Sequence, residues 1–260
     1  MEQISAVIIT QNEERNIGRC LESLKEVADE VIVVDSGSTD GTADICRKAG
    51  ARFEHHDWQG YSGQKNYANR LASHPWILSI DADEALSPAL RESILALKRQ
   101  GLSPSTVYAV NRLNNYCGQW IHHCGWYPDW KIRLWRNGAV EWVGEVHEDL
   151  QFLQTHLSSH TLEGDLLHYS YYSVADHAAR QVRYATLAAR KAQAAGKRAG
   201  AIDVWLRPGW TFARNYLFKG GFLDGHAGYT VCRMTAFYTF IKYALLRELN
   251  RQAFSPASIL

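Results

Sequence analysis

The stretch Trp76-Ile77-Leu78-Ser79-Ile80-Asp81-Ala82-Asp83-Glu84 constrains this chain more than any other. An apolar run of strand length stops abruptly at carboxylates. Continuous apolar sequence without alternation reads as a strand buried on both faces, as in a parallel sheet covered by helices. Carboxylates at its carboxyl end would open into the crevice where open α/β sheets bind ligands. In extended backbone Asp81 and Asp83 point the same way. Paired carboxylate oxygens suit Mg²⁺ or Mn²⁺, which in turn can bridge phosphates. Asp-x-Asp is also common in surface turns, so the motif takes its weight from its surroundings.

Those surroundings alternate strand and helix. Residues 4–10 and 30–35 read as buried strands ending in Thr10 and Asp35, and 51–55 as a third strand. An amphipathic helix carrying Ile17, Leu21 and Leu24 separates the first two, with Asn12 as its expected cap. Helices are expected near 43–49, in the later part of 60–71 after an opening loop, and over 85–100. Further strands are expected at 106–110 and 131–135. This order means a parallel sheet with right-handed crossovers. The turn after Thr10 runs Gln-Asn-Glu-Glu, without the glycines of a Rossmann dinucleotide site, and there is no Walker sequence. Asp35 can hold a ribose or a base N–H, or cap the Ser36-Gly37-Ser38 turn that follows it.

Three elements together resemble the family 2 inverting glycosyltransferases of GT-A fold: Asn12-Glu13-Glu14, the run from Val31 to Thr42 containing Asp35-Ser36-Gly37-Ser38-Thr39-Asp40-Gly41, and Asp81-Ala82-Asp83. The resemblance covers 4–150. It implies a Rossmann-like, mostly parallel sheet with helices on both faces, and a nucleotide-sugar donor. On that likeness Thr10, Asp35 and Glu13 line the uridine pocket. Asp81 contacts the ribose or sugar, and Asp83 carries the metal that holds the diphosphate. Gly63-Gln64-Lys65-Asn66 resembles the family segment that reaches the donor, where Lys65 pairs with phosphate or sits solvated at a helix start. Trp126-Tyr127-Pro128-Asp129, Arg133-Leu134-Trp135-Arg136 and Gly144-Glu145-Val146-His147-Glu148 are similar to bacterial enzymes that build the lipopolysaccharide inner core. Within these, the chain resembles the β-1,4-glucosyltransferases acting on the first heptose, with UDP-glucose as implied donor. Inverting transfer needs a carboxylate base. The resemblance points to Glu148, with Glu145 and Asp149 as rivals. His147 is a candidate metal ligand, and Arg133 or Arg136 a candidate phosphate clamp. A nucleotidyltransferase, a transferase for another surface polysaccharide, and a sugar-nucleotide-binding scaffold are the alternatives.

Charge divides the chain. Residues 1–150 hold 15 Lys+Arg and 21 Asp+Glu, a balance of −6, while 151–260 hold 13 and 6, a balance of +7. This predicts a catalytic domain over 1–170 and a helical, basic region over 171–260, with long helices at 174–195 and 229–249. Trp205, Trp210, Phe212, Tyr216, Phe218 and Phe222 are interleaved with Arg and Lys there. That pattern suits an anionic membrane surface, nucleic acid or a solvated helical appendage with a local core, and the lipid-linked acceptor that the resemblance implies favours the membrane. The five cysteines lack CxxC spacing and read as free thiols of a reducing cytosol. Cys117, His122, His123 and Cys124 lack the knuckle spacing of a zinc site, and 116–130 reads instead as a loop packing aromatics over the active site. The start of the chain reads as a strand rather than a secretion signal, and no apolar stretch reaches membrane-span length. The resulting expectation is a cytoplasmic protein, peripheral at the inner face of the inner membrane.

Overall fold

Strands β1 (Ile4–Thr10), β2 (Glu30–Asp35) and β4 (Trp76–Asp81) are apolar on both faces over most of their length because each serves two cores. Ile4, Ala6, Ile8, Val33, Leu78 and Ile80 point into one, beneath α1 (Ile17–Leu24) and α4 (Pro88–Gln100). Val7, Ile32, Val34 and Ile77 point into the other, with Ala68 of α3 (Gly60–Leu71), Trp135 and Trp142. A strand with helices on both faces has no solvent side on which polar residues could alternate. The computed structural model describes residues 2–144 and 149–252.

Among the described residues the nine-stranded sheet is mixed, and its path runs from β3 (Arg52–His55) through β2, β1, β4, β8 (Trp130–Arg136), β6 (Thr106–Tyr116) and β11 (Ser158–Tyr171) to β5 (Glu84–Leu86). β3, β2, β1 and β4 are parallel neighbours, with α2 (Thr42–Lys48) between β2 and β3. From β4 onward the pairing is antiparallel: β8 pairs β4 and β6, and β11 pairs β5. β7 (Gln119–Ile121) pairs the end of β6, and β9 (Val140–Val143) with β10 (Asp149–Phe152) makes a separate ribbon. The sequence alone did not suggest β11, because Ser-Ser-His-Thr-Leu-Glu-Gly-Asp carries few apolar residues. Gly164 permits its close pass over α4: at φ +90° a Cβ there would lie 2.3 Å from the Leu90 nitrogen.

The chain divides into two compact units. One takes the chain to Leu113 together with Pro128–Tyr169; the other takes Asn114–Tyr127 and the chain from Ser170. Residues 114–127, which the sequence reading put in the first domain, thus group with the C-terminal helices. That second unit contains α5 (Val174–Ala194), α6 (Ala201–Ala213), a π-helical turn (Arg214–Phe218), a 3-10 turn (Gly221–Asp224) and α7 (Gly225–Gln252). α7 packs against both α5 and α6. Its core holds Tyr116, Ile121, Cys124, Val231 and Cys232, with Phe212 and Tyr216 against them. Asp224 organises the loop, accepting from the backbone N–H of His122 and His123 and meeting His123 Nδ1 at 2.8 Å. His177 is fully buried here, between the Tyr116 hydroxyl and the Gln181 amide. Among the described residues no group of three or more His, Cys, Asp or Glu is arranged to hold a metal ion.

Candidate active site

Parallel register lines up three chemistry-bearing residues at the carboxyl ends of neighbouring strands. Thr10 pairs with Asp35, and Asp81 sits opposite Ile9 on the other side of β1. Thr10 is buried and its Oγ1 has no hydrogen-bond partner. A buried hydroxyl without a partner costs free energy unless something else satisfies it. Asp35 caps its own turn: Oδ2 accepts from Gly37 N at 2.9 Å and Ser38 N at 2.8 Å, and Oδ1 accepts from the Ser38 hydroxyl.

The loops after β1 and β2 are bound to each other. Asn12 Oδ1 accepts from Thr39 N at 2.8 Å, and Asn12 N donates to Ser38 Oγ. Glu13 N donates to Thr42 Oγ1, while Glu14 Oε2 accepts from Gly41 N. Asn12 is therefore not the cap of α1: Asn16 takes that position, and Asn12 spends its amide on the neighbouring loop. Asn12 also sits at φ 55°, a left-handed conformation that Asn tolerates better than most residues. Glu13 turns its carboxylate to the Asn16 amide at 2.7 Å. The Asn-Glu-Glu and Ser-Gly-Ser-Thr-Asp-Gly-Thr motifs thus hold one another in place at the rim of the crevice.

Helix α3 contributes three consecutive side chains to three different elements. Gln64 Nε2 donates to Ser36 Oγ at 2.7 Å and to the His56 carbonyl. Lys65 Nζ lies 2.9 Å from Asp81 Oδ1 and 4.5 Å from the centroid of the Trp142 ring. Asn66 pairs twice with the Trp142 backbone, donating to its carbonyl and accepting from its N–H. Ser62 donates to the Gly144 carbonyl. Polar bonds from α3 thus anchor the chain up to Gly144. The expected bases Glu145 and Glu148 and the expected ligand His147 lie outside the described residues.

β4 ends at Asp81, and a turn separates it from Asp83, so the two carboxylates do not share an extended backbone. Glu84 makes that turn by accepting the Asp81 N–H through Oε2. Its other oxygen takes Arg133 at 2.6 Å, and Arg133 also bonds Asp81 Oδ2 at 2.9 Å. Arg112 lies 3.7 Å from Glu84 and forms a two-nitrogen contact with Asp129. Burial alone would raise the Asp81 carboxyl, but Lys65 and Arg133 hold it well below the usual carboxylate range. Burial likewise works against the Arg133 charge, while Glu84 and Asp81 raise its pKa above the ordinary value. Lys65 and Arg133 are thus buried partners of Asp81, and Arg136, on the same strand, is exposed.

Asp83 is partly exposed, and its Oδ2 lies 3.1 Å from His168 Nε2 on β11. Burial disfavours the charged imidazole, yet the adjacent Asp83 carboxylate raises its pKa on balance. No sequence motif singled out His168 or Glu84's internal role. The only signal was the third carboxylate directly after Asp-Ala-Asp. A carboxylate oxygen such as those of Asp83 is the donor type that Mg²⁺ or Mn²⁺ accepts, with substrate phosphates and water supplying the rest of the shell.

Residues 5–147 match the family Glycosyl transferase family 2. The chain belongs to this family. It is a glycosyltransferase, and its catalytic unit has the GT-A α/β architecture. Among relatives of this family 2 enzyme, the lipopolysaccharide core biosynthesis glycosyltransferase LpsC of Rhizobium meliloti is 32% identical over 261 residues, covering 94% of this chain and 92% of that one. An uncharacterized glycosyltransferase of Rickettsia bellii is 31% identical, covering 99% and 90%. Among solved structures, glucosyl-3-phosphoglycerate synthase from Mycobacterium tuberculosis is 24% identical over 44% of each chain, with a TM-score of 0.36.

Proposed function

We propose that this enzyme moves glucose from UDP-glucose to an inner-core heptose of lipopolysaccharide, with inversion at the anomeric carbon and with Mg²⁺ or Mn²⁺. The observation that carries the donor half is the row of Thr10, Asp35 and Asp81 at the carboxyl ends of adjacent parallel strands, with the buried Thr10 hydroxyl unsatisfied. A nucleoside seated there gives Thr10 its partner and meets an Asp35 already oriented by its own turn. Lys65 and Arg133 keep Asp81 ionised and fixed in direction, so it accepts from a ribose or sugar hydroxyl. Asp83 offers an oxygen to the metal, and His147 is the second proposed ligand. A bound divalent cation neutralises charge on the departing diphosphate. Glu148 takes the proton of the acceptor hydroxyl, with Glu145 and Asp149 as the other carboxylates of that segment.

The acceptor half is supported by LpsC, a relative named for lipopolysaccharide core biosynthesis that matches over nearly the whole chain. A lipid-borne acceptor requires work at a membrane surface, here the cytoplasmic face of the inner membrane. Among the described residues no helix is long and apolar enough to cross a membrane, and the proposed attachment is peripheral. The test is a panel of nucleotide sugars with Mg²⁺ or Mn²⁺, following UDP release with and without heptose-terminated lipopolysaccharide. UDP release from UDP-glucose that depends on this acceptor supports the reading; acceptor-dependent release from a different sugar nucleotide overturns the donor.

A further inference from the structure

Helix α6 is apolar on two sides, and only one of them is covered within its unit. Val204 is buried, Thr211 meets Thr239 of α7, and the Phe212 ring packs on Tyr216 and Tyr229. The other side repeats large apolar residues at Ile202, Trp205, Leu206 and Trp210, spaced i, i+3, i+4 and i+8 on one helical face. Leu217 and Phe218 of the π-helical turn continue the exposed series. Ile202 is 70% exposed, Trp205 76% and Phe218 73%. Soluble proteins rarely leave so many large side chains together in water without a use.

We propose that this face of α6 and the turn after it is an in-plane membrane wedge that seats in the interfacial layer of an anionic bilayer. Charge selects the occupant. Residues 190–219 carry seven Lys or Arg and one acid, Asp203, a balance of +6. Arg207, Arg214 and Lys219 are exposed alongside the apolar residues, and Asp203 is already tied to Arg207. A second copy would set one positive surface against another, which opposes self-association. Nucleic acid would use the tryptophans for stacking but has no use for Ile202, Leu206 and Leu217. An anionic bilayer uses both parts: headgroups attract the basic residues, and the acyl boundary receives the aliphatic and aromatic ones. Tryptophan in particular favours this boundary. The structure also separates aromatics that look alike in sequence, since Phe212 and Tyr216 pack internally while Trp205, Trp210 and Phe218 face out.

The wedge rests on the reading that the acceptor is lipid-borne, but its test uses neither donor nor acceptor. The full chain is floated with vesicles of phosphatidylcholine alone or mixed with phosphatidylglycerol, at low and high salt. Brominated lipids read the depth of the tryptophans. The parent should float with anionic vesicles and show bromine quenching, weakening at high salt without vanishing. The variant W205S/W210S/F218S should keep the parent's thermal midpoint, because these side chains are exposed, and lose roughly tenfold or more in partitioning. The variant R207Q/R214Q/K219Q should fall at low salt towards the level seen with neutral vesicles. Parent protein that stays unbound, or a serine variant that floats equally well, overturns the proposal. So does light scattering that shows a parent dimer broken by the serine variant without vesicle binding, or a parent that shifts single-stranded RNA and ignores vesicles. An incorrect acceptor would leave flotation intact, and failed flotation would leave transfer to a detergent-dispersed acceptor intact, so the two readings fail separately.

Discussion

The Lys65 ammonium and the Asp81 carboxylate stand 2.9 Å apart, with the lysine side chain only 6% exposed. Asp81 is shared, because its other oxygen takes Arg133. Removing one cation therefore leaves the carboxylate half-compensated in a poorly solvated place. Loss of one partner from a fully buried pair costs about 3–5 kcal/mol. Asp81 retains Arg133 and some solvent, so Lys65→Met should destabilise the chain by a smaller ~2 kcal/mol. It should also lower kcat/KM for the donor, since Asp81 would no longer be held in direction. Urea unfolding and donor-saturation kinetics measure the two effects; unchanged kinetics would show that the pair serves stability alone.

Asp83 differs from Asp81 in its partner, the His168 imidazole in place of the Lys65 and Arg133 cations. Asp83→Ala should leave the thermal midpoint near that of the parent and remove UDP release, a loss of several kcal/mol in transition-state stabilisation. Chelation of the parent by EDTA should reproduce the defect, and added Mn²⁺ should restore the parent and not the variant. Activity in Asp83→Ala at saturating metal would remove this residue from the metal shell.

For the base, Glu148→Gln should reduce kcat by roughly two to four powers of ten with little change in donor affinity, because the amide keeps the shape and loses only the proton acceptor. Glu145→Gln should be much milder. If Glu145→Gln carries the large loss, the base is that residue.

His177 gives a pH dependence that belongs to the second unit. Burial pushes its pKa down to about 4, with Asp176 and Arg180 acting in opposite directions on it. An unfolded histidine titrates near ~6.5. Between those values the unfolded chain binds the proton and the folded one does not, so stability falls as pH is lowered from about 6.5 towards about 4. The slope from this one group is at most about 1.4 kcal/mol per pH unit. His177→Gln should flatten that part of the stability profile relative to the parent while leaving the region above neutrality parallel. Coincident slopes for parent and variant, followed by thermal unfolding across this range, would contradict the assignment.

Much of the catalytic unit was legible because its strands obey one local rule. A strand with helices on both faces must be apolar at successive positions, so β1, β2 and β4 announced themselves. Their last residues Thr10, Asp35 and Asp81 then fell on one edge by parallel register. The two loop motifs were legible as chemistry but not as architecture: nothing in Asn12 itself says that its amide binds Thr39 rather than capping a helix. Sequence could not say that Lys65 and Arg133 lie inside. Whether a charge is buried depends on a partner, and their partners Asp81 and Glu84 stand far along the chain. His168 reaches Asp83 only because β11 returns beside β5, a pairing its polar sequence does not signal. In the basic half, composition alone determined that aromatics and positive charges are mixed. Val204 and Trp205 are neighbours on one helix, and only the packing of α7 against one side decided which was covered and which was left to water. A helix has no inside or outside until another element chooses one of its faces.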